Sequence, residues 1–501
     1  MGESNKSLPA RKSEGVTVDT FSGRIHVEWD PNAAVTPLGQ MAFFIDFLKT
    51  AGLYEPWVTE CPLYYTSPNA PKKRDVLGTV LLSVLAGHHR YSHIANVRCD
   101  NVTPGMLGMM AVASEDSVRK ALRRIDKIQG VRWLKEHMRR CYETLLAMPW
   151  IMDGDTTIKQ LYGKQEDAVI GYNPQKPGRP SHTYHSYIMA NTRLVLDVEV
   201  QAGNKTATCY STPGLWELLN SLPRSYRPAF FRGDSAWGND AFMSQAEAEG
   251  LRYLLKLRLT KNVRKLIEKT FRQSGWQKAG QGWDSMEEEL QLTGWKKKRR
   301  VIVLRRALQG DVAISAKCKG QMAFGFVEVD GTAKKYEYAV LVTTLKDEVL
   351  AIAQHYRDRA DAENNFDELK NQWGWGGYTT KDLKRCGFMA RIVALIYNWW
   401  SLFVRLAQPN KHLEAITSRP LLLHAVAKQT RHQNKTTVTI TSTHAKTEKI
   451  QNTFNHIASF LRQLRETAEQ LTQADRWVLI LSRAFAKLLR GGRFMLQICC
   501  H

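Results

Sequence analysis

Residues 356–370 read YRDRADAENNFDELK, and four of them fall on one helical line. Tyr356, Arg359, Glu363 and Lys370 stand at offsets 0, 3, 7 and 14. At about 100° per residue these sit at roughly 0°, −60°, −20° and −40° around a helix axis. A single helix beginning near 347 would therefore carry a carboxylate, two cations and a phenol on one narrow stripe. That grouping suits a site that holds a divalent metal beside phosphates. The competing reading is a solvated face tied by i,i+3 and i,i+4 ion pairs.

The charge of the whole chain bears on the choice. Its 501 residues hold 71 Lys and Arg against 48 Asp and Glu, a net +23, which favours a polyanionic partner. Hydrophobic residues make up 43%, enough for packed cores. The N-terminal MGESNKSLPARKSEG has no apolar h-region, and position 6 is Lys, so neither a secretory signal nor myristoylation is expected. No apolar run of about 18 residues is uninterrupted by charge, so no transmembrane helix is expected. The eight cysteines form no CxxC pair, which fits a reducing compartment rather than a disulfide scaffold. His88, His89, His93 and Cys99 cluster without zinc-finger spacing and read as a helix–loop piece.

Periodicity divides the chain into an α/β unit with helical flanks. Residues 1–20 read as a flexible polar tail and 21–148 as a helical domain. In the latter, LGQMAFFIDFLKTAG, DVLGTVLLSVLAGHH and a long helix N-capped by Ser117 carry i, i+3, i+4 apolar spacing. The last helix exposes Arg119, Lys120, Arg123, Arg124, Lys127, Arg132, Lys135, Arg139 and Arg140, either a DNA-contacting or a solvated face. From 149 to 261 short strands (WIMDGDTTI, HTYHSYIMAN, LVLDVEVQ, AFFRGDSAW, LRYLLKLRL) alternate with helices. Residues 262–345 are β-rich, with RRVIVLRRAL, MAFGFVEVDG and YEYAVLVTTL as strands. Residues 346–407 hold the motif helix and the apolar MARIVALIYNWWSLFVRLA, read as core because Arg391 and Arg405 interrupt it. Residues 408–501 form a C-terminal region, loop-like to about 450 and then helical.

Further acids stand where two apolar runs end. In PWIMDGDTTI an apolar run meets Asp153 and Asp155, two apart and hence on one face. In PAFFRGDSAW another run meets Asp234. Three gathered carboxylates repel, by about 4 kcal/mol per pair at 4 Å and an effective dielectric of 20, unless a cation joins them. Two divalent ions so held would activate water and shelter the leaving oxygen of a phosphodiester, and hard carboxylate oxygens suit Mg²⁺ or Mn²⁺. The competing reading makes Asp155 and Asp234 turn residues that cap backbone amides.

The spacing Y-x2-R-x3-E-x6-K, complete here at all four positions, resembles the signature of one insertion-sequence group of DDE transposases, cut-and-paste enzymes many of which work through DNA hairpins. The resemblance covers roughly 150–405, with the acids in family order. It implies an RNase H-like catalytic domain (149–261 and 346–407) interrupted by a β insertion (262–345). It implies that Asp155 of DTTI, Asp234 of RGDS and Glu363 bind two ions and catalyse, with Asp153 as the alternative first ligand. Tyr356, Arg359 and Lys370 would grip phosphates, joined by Lys176, Arg179 and His182 from family-like segments. The expected insertion tryptophan is replaced by Ala339, leaving Tyr338, Trp283 or Trp295 to stack on a base. The implied partners are double-stranded DNA at terminal inverted repeats and target DNA, with a homodimer bridging two ends, in a bacterial, nucleoid-associated cytoplasmic setting and with no membrane. The alternatives are a metal-dependent nuclease or a decayed DNA-binding regulator.

Overall fold

The computed structural model describes residues 15–173, 176–205, 212–307, 336–375, 377–441, 446–467 and 470–489. The expected strand MAFGFVEVDG at 322–331 lies outside the described residues. Strands β1 (Val16–Thr20) and β2 (Gly23–Val27) form an exposed hairpin, so the polar stretch read as tail is a strand from 16 to 20. After the short β3 (Val35–Thr36) come helices α1 (Met41–Thr50), α2 (Tyr54–Thr59), α3 (Lys73–Leu85), α4 (Ile94–Val97), α5 (Thr103–Met106), α6 (Glu115–Arg124) and α7 (Lys127–Arg140). The expected single long helix is thus two. Ser114, not Ser117, caps α6, and its side chain accepts from the Ser117 amide. Ile125 is extended, and Asp126 starts α7 by accepting from Gln129 N–H. Its carboxylate competes with the helix ladder and so breaks it.

The centre is one mixed sheet. Its strands are β4 (Ile151–Gln160), β5 (Val169–Ile170), β6 (Pro180–Met189), β7 (Leu194–Ala202), β8 (Phe230–Gly233), β9 (Tyr253–Lys256), β10 (Gln277–Gly280), β11 (Trp283–Leu290), β12 (Arg299–Ala307) and β13 (Tyr336–Thr343). The order is β10-β11-β12-β13-β9-β8-β4-β6-β5, with β7 also paired to β6. β4, β8 and β9 run parallel, and every other pairing is antiparallel. Parallel neighbours need crossovers. α8 (Thr212–Asn220) lies between β7 and β8, and α9 (Asp240–Ala248) between β8 and β9. After α10 (Lys261–Phe271), the β-rich stretch continues this same sheet through the β13–β9 pairing and does not form a separate one.

The motif segment is two helices, α11 (Val349–Arg357) and α12 (Ala360–Asn371), where one was expected. At the join the amides of Arg359, Asp361 and Ala362 bond three residues back, a tightened turn. α13 (Leu383–Ala407) follows. By length and composition it could cross a membrane, yet 94% of its most apolar window is buried in the protein. Arg391, on α13, is buried and donates to both oxygens of Asp197, at 2.8 and 3.4 Å. Asn398 completes the docking of α13 on β7 like an extra strand residue. It accepts from Val195 N–H at 2.9 Å and donates to Val195 C=O at 2.8 Å. After α14 (Ala415–Leu422), the region expected to be loop-like holds a hairpin, β14 (Ala427–His432) and β15 (Lys435–Ile440), with β3 against β14. The chain closes with α15 (Thr447–Glu466), α16 (Gln473–Ala484) and α17 (Ala486–Leu489), α15 against α1 and α16 against α13.

Asn398→Ala should lower stability by roughly 2–6 kcal/mol, since two buried backbone groups lose their partners at about 1–3 kcal/mol each. Urea unfolding followed by circular dichroism measures it, and a loss below about 1 kcal/mol would refute this docking role.

Candidate active site

Two three-residue segments build the site. Asp153-Gly154-Asp155 on β4 lies beside Arg232-Gly233-Asp234 on and after β8, with Asp153 in register with Arg232 and Gly154 with Gly233. Residues two apart share a face. Asp153 therefore meets Arg232, and Asp155 and Asp234 come next on strands about 4.8 Å apart. β4 continues to Gln160, so Asp155 sits within a strand and not at its end. Nor is Asp153-Gly154 a turn: Gly154 pairs with Tyr187 on one side and Gly233 on the other. A Cβ on Gly154 would lie 2.5 Å from the Phe231 ring and 3.2 Å from Trp237, so only glycine fits between the acids.

Asp153 and Asp155 differ in environment. Asp153 is fully buried, with both oxygens held by Arg232 at 2.7 Å, and Arg232 also donates to the His355 carbonyl at 2.5 Å. Asp155 is part-exposed. One oxygen accepts from Thr156 N–H at 2.8 Å and the other lies 3.5 Å from Arg359. Burial pushes the Asp155 carboxyl up to about 6; the Arg359 guanidinium opposes this, and the charges of Asp234 and Glu363 add to it. Asp234 accepts from Ala236 N–H at 3.0 Å. Glu363, the most exposed of the acids, receives Arg359 at 2.8 Å. Arg359 is buried between Asp155 and Glu363, and its Nε lacks a hydrogen-bond partner in the described residues. Burial raises the half-buried Tyr356 phenol well above its usual range, against the pull of Arg359 and with help from Asp234, Glu363 and Asp155. The tightened turn thus keeps Tyr356, Arg359 and Glu363 around the aspartates despite the broken helix.

Among the described residues, no three His, Cys, Asp or Glu side chains converge at metal-ligating distance. The guanidinium of Arg359 takes that space. The donor set nevertheless fits a hard divalent cation: three carboxylates that feel one another, Asp155 and Asp234 each with one oxygen bonded to a backbone amide and the second Asp155 oxygen facing Arg359.

Other expected residues fall elsewhere. Lys370 lies on α12 with no ion pair to these acids. Lys176 and Arg179 stand over the exposed ring of Tyr162, at 5.3 and 4.7 Å from its centroid. His182 is not a surface residue: it is fully buried and its Nε2 pairs with the Glu166 carbonyl at 2.8 Å, which removes it from phosphate contact. Tyr338 and Trp295 are also buried, Trp295 under Arg299, so neither is free to stack on a base. Trp283 lies under Arg306. On the basic helices, Arg119, Lys120, Lys135, Arg139 and Arg140 pair with acids of this chain, as a solvated or packed face would. In the histidine segment, His88 meets Ser83 at 3.2 Å and His93 Nδ1 meets the His89 amide at 3.4 Å. Sequence reading missed that Arg232 anchors Asp153; the paired X-Gly-Asp triplets were the available signal.

Residues 70–465 match the family described as Transposase DDE domain group 1. The chain belongs to this family of DDE transposases, enzymes of DNA cleavage and transfer. No curated protein matches it. Among solved structures it is similar to the piggyBac transposase of a cryo-EM synaptic complex with hairpin DNA, at 12% identity and a TM-score of 0.38, over 89% of this chain and 85% of that one.

A raised Asp155 fixes the sign of a pH effect. With a folded value of about 6 against about 3.9 unfolded, the folded chain holds the proton more tightly. Its stability therefore falls as pH rises from about 4 to 6 and stays lowered above. In EDTA, Asp155→Asn should match the wild type near pH 4 and exceed it at pH 7.5 by up to about 2–3 kcal/mol. Denaturant titration at both pH values checks this; a variant less stable at pH 7.5 would contradict it.

Proposed function

We propose that the chain is a cut-and-paste transposase that binds the terminal inverted repeats of an insertion sequence and works with Asp155, Asp234 and Glu363 as its acidic triad. The observation that carries this reading is that Asp155 and Asp234 each directly follow the Gly154–Gly233 pair of two adjacent parallel strands, with Glu363 held to Asp155 through Arg359. The strand order and directions from β7 to β9 support an RNase H-like domain. Asp155 is preferred over Asp153 as first ligand because Arg232 already takes both Asp153 oxygens.

Two Mg²⁺ or Mn²⁺ ions, when bound by the three acids, would supply activation of water and stabilisation of the leaving oxygen. The residues of the chain arrange the rest. Arg359 leaves its carboxylate contacts to grip a non-bridging phosphate oxygen. Tyr356, held protonated by burial, donates a hydrogen bond to the same phosphodiester. Lys370 adds charge along α12, and Lys176 and Arg179 hold the flanking backbone. Water attacks phosphorus and the P–O3′ bond breaks; the freed 3′-OH then attacks a second phosphorus and displaces the 3′-oxygen of the strand it joins. Attack on the opposite strand gives a hairpin; attack on target DNA joins the element. Because two ends must be cut and joined together, a homodimer bridging them is the working assembly.

The test is a donor DNA carrying the element's terminal repeats, incubated with Mg²⁺ or Mn²⁺. Asp155→Asn, Asp234→Asn and Glu363→Gln should each lower cleavage by at least about 10²-fold, the scale of losing one charge-stabilising group. Wild-type rates in any of them would remove that residue from the site. Nicks without hairpin or joined products would favour a nuclease. Asp153→Asn should lower stability more than it changes cleavage per folded molecule, since its partner Arg232 is left buried and unpaired.

A further inference from the structure

We propose a second anion site, at the far end of β4, that takes a backbone phosphodiester of bound DNA close to the bond being cut. This inference rests on the transposase reading above and gives the DNA a second point of attachment. A cavity of about 400 Å³ opens there, lined by Arg90, Tyr91, Arg119, Lys159, Tyr162 and Tyr378 among others, and no Asp or Glu lines it.

Lys159 is the centre of the argument. Its side chain is buried, and its ammonium donates to the Tyr184 hydroxyl at 3.1 Å and to the Gly377 carbonyl. Both acceptors are neutral, an ammonium has three N–H groups, and no carboxylate pairs with Lys159 among the described residues. A buried cation with no counter-ion is costly, and an anion arriving in the cavity relieves that cost. Burial accordingly pulls the Lys159 ammonium down to about 8. Arg90 is exposed at the mouth and has no ion pair among the described residues. Arg119 lies over the Tyr91 ring at 5.0 Å and pairs with Glu115 at 3.2 Å and Asp116 at 3.8 Å on its own helix, outside the cavity lining. At the rim, Tyr162 is 67% exposed, and Lys176 donates to its hydroxyl at 2.8 Å.

Position links this cavity to the acids. Lys159 is four residues beyond Asp155 on the same strand, so both side chains leave the same face, about 13 Å apart at strand rise. A span of that length keeps the phosphate on the stretch of backbone just beside the bond being cut. Arg90 and Arg119 come from the helical N-terminal part, while Lys159 and Tyr162 come from β4 and its end. A phosphate in the cavity is therefore held from both sides.

The experiment uses the full chain with a fluorescein-labelled 30-base-pair duplex in EDTA, where no cutting occurs, and follows anisotropy from 50 to 200 mM salt. Lys159→Met and Arg90→Ala should each weaken binding and reduce the steepness of log affinity against log salt by about 0.9, the loss of one phosphate contact. Arg90 is exposed, so its variant keeps the test valid if Lys159→Met fails to fold. Unchanged slopes in folded variants, with tight salt-dependent binding by the wild type, would overturn this site and leave the transposase reading intact. A wild type that shows no salt-dependent binding to duplex would overturn both.

Discussion

The site depends on one buried ion pair. Arg232 grips both oxygens of Asp153 and also holds the last turn of α11 through the His355 carbonyl. Breaking a buried pair on one side costs about 3–5 kcal/mol, because the other charge is left without water or partner. The pair therefore pins the register of β4 on β8, and in strands register decides which faces meet. Once Asp153 faces Arg232, Asp155 and Asp234 must come side by side. The same arginine ties the helix pair that carries Tyr356, Arg359 and Glu363 to those strands. A structural salt bridge thus sets the distances between acids that belong to three separate stretches of sequence.

Those acids are held at an electrostatic cost that Arg359 partly relieves. Asp155 sits where burial and the charges of Asp234 and Glu363 disfavour its ionisation, and the guanidinium between the carboxylates supplies the compensating charge. Among the described residues its Nε finds no hydrogen-bond partner, so its hold on the site is incomplete. An arginine placed this way stabilises the acidic cluster. The tightened turn at Asp358–Arg359 is what lets one side chain reach back toward Asp155 while also bonding the next turn of its own helix.

Much of this was legible in the order of residues. Strand segments around β4, β6, β7, β8, β9, β12 and β13, and the helices around them, follow from alternating and 3.6-residue apolar periods. The candidate acids follow from apolar runs that meet aspartates and from a motif with fixed spacing. Errors came where local chemistry or long-range pairing outweighed period. Asp126 broke a helix whose apolar period continues through it. Val16–Thr20 (VTVDT) is short, exposed throughout and set in a polar stretch, yet pairs as a hairpin, and residues 427–440 form strands through each other and through β3, which is far away in sequence. His182, Tyr338 and Trp295 carry side chains that suit a nucleic-acid contact, but burial is a property of the surroundings and not of the residue type.

The sequence by itself determined a basic α/β chain with three acids in order and a stripe of Tyr, Arg, Glu and Lys, because period and residue type act over a few positions. Only the tertiary structure decided that Asp153 is a strut while Asp155 faces Arg359. Two aspartates on one face of one strand are equivalent until a neighbouring strand supplies an arginine to one and an acid to the other. Likewise, only the fold turned Lys159, a strand residue, into a buried cation with no carboxylate partner among the described residues, beside Arg90 and Arg119. Register and burial are set by partners distant in the chain, and no local pattern carries them.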